Sequence, residues 1–114
     1  MNLNSNSKKM SLKNQQLINA RMNNNKPPIL CIPRVSNQIT EKKIRDTFEC
    51  LDLGQLNRVE IRKGVGKHNM VLIHYKYWLD HGNALTANTI LNENRNIKII
   101  YEDPWFWKVS RFRN

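Results

Sequence analysis

Two short apolar runs, Leu30-Cys31-Ile32 and Val71-Leu72-Ile73, set the main constraint on how this chain can fold. Both are typical of buried strands, and a helical apolar pattern and an alternating segment lie between them. A chain of 114 residues has room for one small domain with a single core. The sequence therefore predicts a small sheet whose first and third strands are these two runs.

The segment after the first run has the features of an amphipathic helix. Thr40 is a predicted N-cap, and Ile39 and Ile44 have the spacing of a hydrophobic staple around it. Ile44, Phe48 and the following apolar residues recur at helical spacing. We expect a helix over residues 41–51.

The remaining elements follow from the same two periodicities, about two residues for a strand and 3.6 for a helix. The predicted strands are residues 29–32, 58–62, 68–75 and 97–101, and the second helix covers residues 84–91. With two right-handed crossovers, this order predicts a ferredoxin-like βαββαβ fold of the α+β class. We expect a four-stranded antiparallel sheet with both helices on one face.

The two ends of the chain differ from the predicted domain, residues 29–102. Residues 1–28 form a basic tail rich in Asn, which we expect to be disordered because it contains few apolar residues to bury. A short helix around residues 12–22 or an organelle transit peptide are the alternatives for this tail. Residues 103–114 are predicted to be an aromatic and basic C-terminal extension.

Charge and cysteine content narrow the setting of the protein. The formal net charge of +10 and the pI of about 10.0 favour polyanions or acidic surfaces as partners. Cys31 and Cys50 fall in a predicted strand and helix, so we expect reduced core thiols in an intracellular protein. No apolar run approaches the roughly 20 residues that span a bilayer, so no membrane contact is expected. We expect a monomer.

The sequence contains no recognisable catalytic arrangement. His68, His74 and His81 have no zinc-ligand spacing with either cysteine. Residues 64–67 contain two glycines and a lysine, but a phosphate-binding loop needs an earlier Gly and a following helix. We therefore expect no enzymatic activity, no metal and no cofactor.

Over residues 29–101 the chain resembles the RNA-recognition motif (RRM), a ferredoxin-like domain. The resemblance is carried by the first strand, the helix that begins after Thr40, the third strand ending at Tyr75, and Leu91-Asn92 before Ile97-Lys98-Ile99. A narrower resemblance is to the short RRM-like proteins of giant DNA viruses. It is carried by residues 31–35, 73–76, Trp78, 97–99 and 101–107. The resemblance implies binding of single-stranded RNA or another nucleic acid. For a viral protein it implies the host cytoplasm or a viral factory.

The positions that carry stacking aromatics in the RRM family are altered in this chain. The third-strand motif has Met70 and Leu72 in place of aromatics, and His68 and Asn69 in place of a basic residue and Gly. The first-strand motif has Cys31 at its aromatic position. Stacking on an aromatic contributes about 1–3 kcal/mol per base, so the expected affinity for single strands falls by several kcal/mol.

The C-terminal extension has two interpretations. An apolar sheet face is rarely left bare, so we expect the extension to cover it. Trp105 and Trp107 either fold back as a stacking platform, with Lys108, Arg111 and Arg113 near phosphates, or they complete the core or cap the sheet.

Polar side chains on the predicted strands are further candidates. Arg58 and Arg62 are expected on one sheet face with Glu60, either as phosphate contacts or as a solvated charge pattern. Lys67 flanks a loop that often contacts RNA in the family, but the loop is short here and a simple turn is the alternative. His74 is expected on the same face, either as a binding residue or as a solvated polar residue. The predicted RNA-binding residues are Cys31, Arg58, Arg62, Lys67, Met70, Leu72, His74, Lys98, Trp105, Trp107, Lys108, Arg111 and Arg113.

Two functions are compatible with these patterns. The first is non-catalytic binding of single-stranded nucleic acid, RNA above all, which the basic charge favours. The alternative is a protein–protein interaction module on a degenerate RRM fold, which the missing aromatics favour. In that case the apolar sheet face or the helical side would receive an aromatic or acidic segment of a protein partner.

Overall fold

The computed structural model describes residues 26–113. The expectations for the N-terminal tail, including the alternatives of a helix and a transit peptide, concern residues outside this range, apart from residues 26–28. The two helices and five strands are β1 (Leu30–Ser36), α1 (Glu41–Glu49), β2 (Gly54–Lys63), β3 (His68–Trp78), α2 (Gly82–Asn92), β4 (Ile97–Glu102) and β5 (Trp105–Arg111).

All five strands belong to one antiparallel sheet, in the order β2-β3-β1-β5-β4. The α+β class, the two helices and the antiparallel sheet are confirmed. The expected number of four strands is wrong, and so is the expected order at one edge. β4, the predicted fourth strand, pairs with β5 and not with β1.

The strand beside β1 is β5, which lies in the segment that was expected to be an extension. It pairs with β1 at Leu30–Arg111 and Cys31–Ser110. β5 buries Trp107 and Val109 completely or nearly so, whereas β4 buries Ile99. Because burial of apolar area stabilises the fold roughly in proportion to that area, the strand with the larger apolar side takes the inner position.

Helix α1 begins as the sequence predicted. The Thr40 hydroxyl oxygen accepts a hydrogen bond from the backbone N–H of Lys43 at 3.1 Å, which satisfies one of the free donors of the first turn. Ile44 and Phe48 are its buried residues. The helix ends at Glu49, two residues before the predicted end.

Both helices pack against the same side of the sheet. Ile44 and Phe48 of α1 and Ala84, Ala87 and Leu91 of α2 belong to one core cluster with the inward residues of β1, β3 and β5. The opposite side carries no helix among the described residues, and we call it the outer face. No helix within residues 26–113 combines the length and the apolar character that a membrane span requires.

Candidate nucleic-acid interface

The centre of the outer face is a row of four residues in register across the sheet. Glu60, Leu72, Cys31 and Ser110 lie opposite one another on β2, β3, β1 and β5. Leu72 is 1% exposed although it is not part of the core on the helix side. The apolar centre of the outer face is therefore covered by other side chains.

One of the groups near this centre is the guanidinium of Arg62. Burial raises the pKa of the Cys31 thiol because it disfavours the thiolate, and the positive charge of Arg62 partly offsets that rise. Met70, directly opposite Arg62, is half-buried. Arg62 thus lies close enough to the centre for its charge to act on the thiol.

Glu60 links the cationic residues of β2 and β3. Its carboxylate accepts a hydrogen bond from Arg62 Nε at 2.7 Å and lies 2.9 Å from His74 Nε2. Arg58 Nη1 is 3.5 Å from the same carboxylate. The hydrogen bonds from Arg62 and then His74 lower the pKa of Glu60 below its ordinary value. The expected shared face of these side chains is confirmed, and Glu60 neutralises part of their charge.

Two phenylalanines contribute aromatic rings to the outer face. Phe106 is 41% exposed, and the Lys98 ammonium of β4 lies 4.5 Å from its ring centroid. Phe112 follows β5, and the Arg62 guanidinium lies 5.7 Å from its ring centroid. Both distances are within the range of a cation–π interaction.

The two tryptophans of β5 lie on the helix side instead. Trp107 is 4% exposed and stacks on Tyr101 with a centroid distance of 4.2 Å and an interplanar angle of 16°. Trp105 is 64% exposed, but it is paired with Glu102, whose carboxylate is 3.9 Å from Lys43 Nζ of α1. The interpretation of these tryptophans as a platform on the outer face is therefore wrong, and Trp107 completes the core.

Two predicted arginines also lie away from the outer face. Arg111 donates a hydrogen bond to the side-chain oxygen of Asn92, the last residue of α2. A cation at this position favourably meets the negative end of the helix dipole. Arg113 lines a small cleft of about 90 Å³ beside the same end of α2, together with Asn94 and Arg95. These positions are suited to stabilising α2.

The outer face thus collects most of the predicted binding residues. Lys67 lies outside the strands, in the β2–β3 loop, where its carbonyl oxygen accepts from the N–H of Asn37 at 2.8 Å. The predicted residues that share the outer face are Cys31, Arg58, Arg62, Met70, Leu72, His74, Lys98 and Lys108.

Three further residues were missed by the sequence analysis, namely Arg34, Phe106 and Phe112. The sequence does contain a signal for Phe106 and Phe112, because Trp105, Trp107 and Val109 alternate as an inward set. That period of two places Phe106 on the opposite face, and its continuation past Val109 places Phe112 there too.

A cleft opens between β1 and β5 on this face. Its volume is about 250 Å³, and it is lined by Pro33, Arg34, Phe106, Trp107 and Lys108. A second cavity, of about 220 Å³, lies on the helix side. It is mostly apolar and is lined by Leu51, Leu53, Asn83, Thr86, Ala87, Ile90, Ile97 and Ile99.

Residues 26–113 contain no group of three or more His, Cys, Asp or Glu side chains placed to hold a metal ion. The chemistry available at the outer face consists of cations, exposed aromatic rings and hydrogen-bond donors. No protein-family profile, curated protein or solved structure matches the chain.

Proposed function

We propose that the chain is a non-catalytic, RRM-like protein that binds single-stranded nucleic acid, RNA above all, through its outer face. The observation that carries the proposal is the composition of this face. The predicted cations Arg58, Arg62, Lys98 and Lys108 share it with two phenylalanines. Among the described residues, Glu60 is the only acidic side chain that forms an ion pair with these cations.

The strand order supports the RRM-like part of the proposal. A βαββαβ chain with two right-handed crossovers has its first and third strands in the centre of the sheet. β1 and β3 have these positions, and β5 lies beside β1 where the last strand of such a fold belongs. On this view β4 is an added strand at the edge.

The cations of the outer face differ in how freely they can meet phosphates. Arg58 and Arg62 share the Glu60 carboxylate. Within residues 26–113, Lys98 and Lys108 form no ion pair with a carboxylate, and both are exposed. Lysines of this kind neutralise phosphates and release condensed counterions, which makes the affinity dependent on salt.

The test is fluorescence anisotropy with a labelled single-stranded RNA over a series of salt concentrations. The wild-type chain is expected to bind, with log affinity falling by about 0.7 per neutralised phosphate for each tenfold rise in salt. The double variant Lys98→Gln/Lys108→Gln should bind more weakly and with a shallower slope.

The control changes the same number of charges on the helix side, Lys42→Gln and Arg95→Gln. These side chains are paired with Asp46 and Glu93, so their replacement should change the slope much less. Absence of RNA binding by the wild-type chain at about 50 mM salt would contradict the proposal.

A second candidate function is binding of a protein partner, which the apolar cavity on the helix side favours. Ala87, Ile90 and Ile99 contribute to its lining. An apolar groove beside a helix can receive an apolar side chain of a partner segment. The same salt series separates the two functions, because a domain that binds only protein gives no RNA signal at low salt.

A further inference from the structure

The cleft between β1 and β5 has a cause in the sequence of β1. Within residues 26–113, the two strands pair only at Leu30–Arg111 and Cys31–Ser110. Pro33 follows two residues after Cys31, and it has no N–H to donate to a neighbouring strand. The register of β1 with β3 also shifts between Ile32 and Val35, as at a β-bulge. β1 therefore leaves β5, and a gap opens in the outer face.

The lining of this gap combines an aromatic ring with positive charge. Phe106 and Lys108 come from β5, and Pro33 and Arg34 come from β1. Arg34 is exposed, and its Nη2 lies 3.5 Å from the ring nitrogen Nδ1 of His68. No acidic side chain lines the cleft, and neither Arg34 nor Lys108 is ion-paired with a carboxylate within the described residues.

The ring of Phe106 lies between two cationic regions. Lys98 approaches it from β4, whereas the cleft lies on the β1 side, because these two strands flank β5 on opposite sides. Trp107 also lines the cleft, but it is 4% exposed and its ring stacks on Tyr101. Phe106 is thus the aromatic ring of this cleft that is accessible to a ligand.

We propose that this cleft binds one nucleotide of the single strand, with the base against the ring of Phe106 and a phosphate between Arg34 and Lys108. This inference rests on the proposed function and assigns it a site. The stacking position then lies on β5 and not on β1 and β3, where Cys31, Met70 and Leu72 replace the aromatics.

The size and charge of the cleft favour a nucleotide over other ligands. Its volume of about 250 Å³ lies just below the range of about 300–1,000 Å³ for sites of drug-sized molecules, so it suits one planar base. Cations without acidic partners favour an anionic ligand, and the exposed ring provides a surface for a base. A phosphodiester-linked nucleotide carries both groups.

The central experiment compares Phe106→Ala with Trp105→Ala in RNA-binding anisotropy. The two residues are adjacent in sequence and both are aromatic and exposed, but only Phe106 lies in the cleft. Phe106→Ala should weaken RNA binding by about 5- to 150-fold, the equivalent of 1–3 kcal/mol per stacked base. Trp105→Ala should remain within about twofold, and Phe106→Trp should retain the affinity.

A second variant tests the phosphate contact without changing the aromatic ring. Arg34→Gln should reduce the slope of log affinity against log salt concentration by about 0.7, the value for one phosphate of a single strand. Arg95→Gln removes an arginine near the end of α2 and should leave this slope unchanged. In a two-dimensional NMR titration with a short oligouridylate, the amide signals of Arg34, Phe106 and Lys108 should shift together.

The outcomes separate the site from the function. If the wild-type chain binds RNA and Phe106→Ala, with unchanged circular dichroism, binds equally well, the cleft is not the stacking site and the proposed function stands. Equal effects of Phe106→Ala and Trp105→Ala would also overturn the site. Lack of binding by the wild-type chain would remove both the proposed function and the site.

Discussion

The guanidinium of Arg62 lies 5.7 Å from the centre of the Phe112 ring, although β3 and β1 separate β2, which carries Arg62, from β5, which Phe112 follows. The N–H of Phe112 donates to the carbonyl oxygen of Ile29 at 2.7 Å, which holds the residue beside β1. The pair therefore spans the middle of the outer face. Leu72, nearly inaccessible to solvent, lies on one of the strands that the pair crosses. The C-terminal segment covers the centre of this face and leaves its cationic sides accessible.

Phe112→Ala should destabilise the protein and open this centre. Loss of a half-buried phenyl ring and of its cation–π contact should lower the free energy of unfolding by about 1–2 kcal/mol. The measurement is urea denaturation followed by circular dichroism.

The same substitution should expose the Cys31 thiol. In a Cys50→Ser background, which removes the other free cysteine, labelling of Cys31 by a thiol reagent should become faster. Phe112→Leu should have an intermediate effect, since it keeps apolar cover without a ring. An unchanged labelling rate in Phe112→Ala would show that the ring does not protect the centre of the face.

The neighbouring tryptophans should differ sharply in their effect on stability. Trp107→Ala removes a buried ring that stacks on Tyr101 and lies parallel to the Phe48 ring, with centroids 6.2 Å apart. We expect a loss of about 3–5 kcal/mol in the free energy of unfolding. Trp105→Ala, at an exposed position, should change it by less than about 0.5 kcal/mol. Similar losses from both variants would contradict the assignment of Trp107 to the core.

The Glu60 cluster should make stability depend on pH. Hydrogen bonds from Arg62 and His74 lower the pKa of Glu60 in the folded state below its ordinary value of 4.5. A carboxyl with a lowered pKa stabilises the fold above its unfolded pKa, and this contribution disappears as the pH falls through the folded pKa. The difference in unfolding free energy between wild type and Glu60→Gln should therefore shrink as the pH falls below 4.5. A difference that grows in acid would have the wrong sign.

Glu60→Gln should also strengthen RNA binding. The substitution removes the acidic side chain of the outer-face strands and releases Arg58 and Arg62 from their shared ion pair. We expect an increase in affinity of about 1.5- to 5-fold, the range that corresponds to an exposed ion pair, with a steeper salt slope in the anisotropy experiment. Glu93→Gln makes the same charge change at the Arg95 ion pair near the end of α2. Its effect should be smaller, and an equal effect would indicate that only net charge matters.

Local patterns of the sequence were sufficient for most of the elements. Three of these predictions depend only on residues close together in sequence. They are the N-cap at Thr40, the inward positions Ile44 and Phe48, and the alternation of Arg58, Glu60 and Arg62. Such short-range preferences are independent of the rest of the chain, and the structure has them as predicted.

The C-terminal third could not be predicted in the same way. β4 and β5 both alternate and are joined by the short turn Asp103-Pro104, so either one is compatible with pairing to β1. The choice depends on how much apolar area each strand buries against helices that are distant in sequence. For this reason the sequence alone allows both interpretations of Trp107.

What the sequence determined by itself is the α+β composition, the helix that begins after Thr40, and a net positive charge placed partly on one face of a sheet. Only the tertiary structure decided which strand lies beside β1, which aromatics face the solvent, and where β1 and β5 separate. These features depend on long-range strand pairing, in which a register or an order is chosen by the total packing of the sheet and not by any local period.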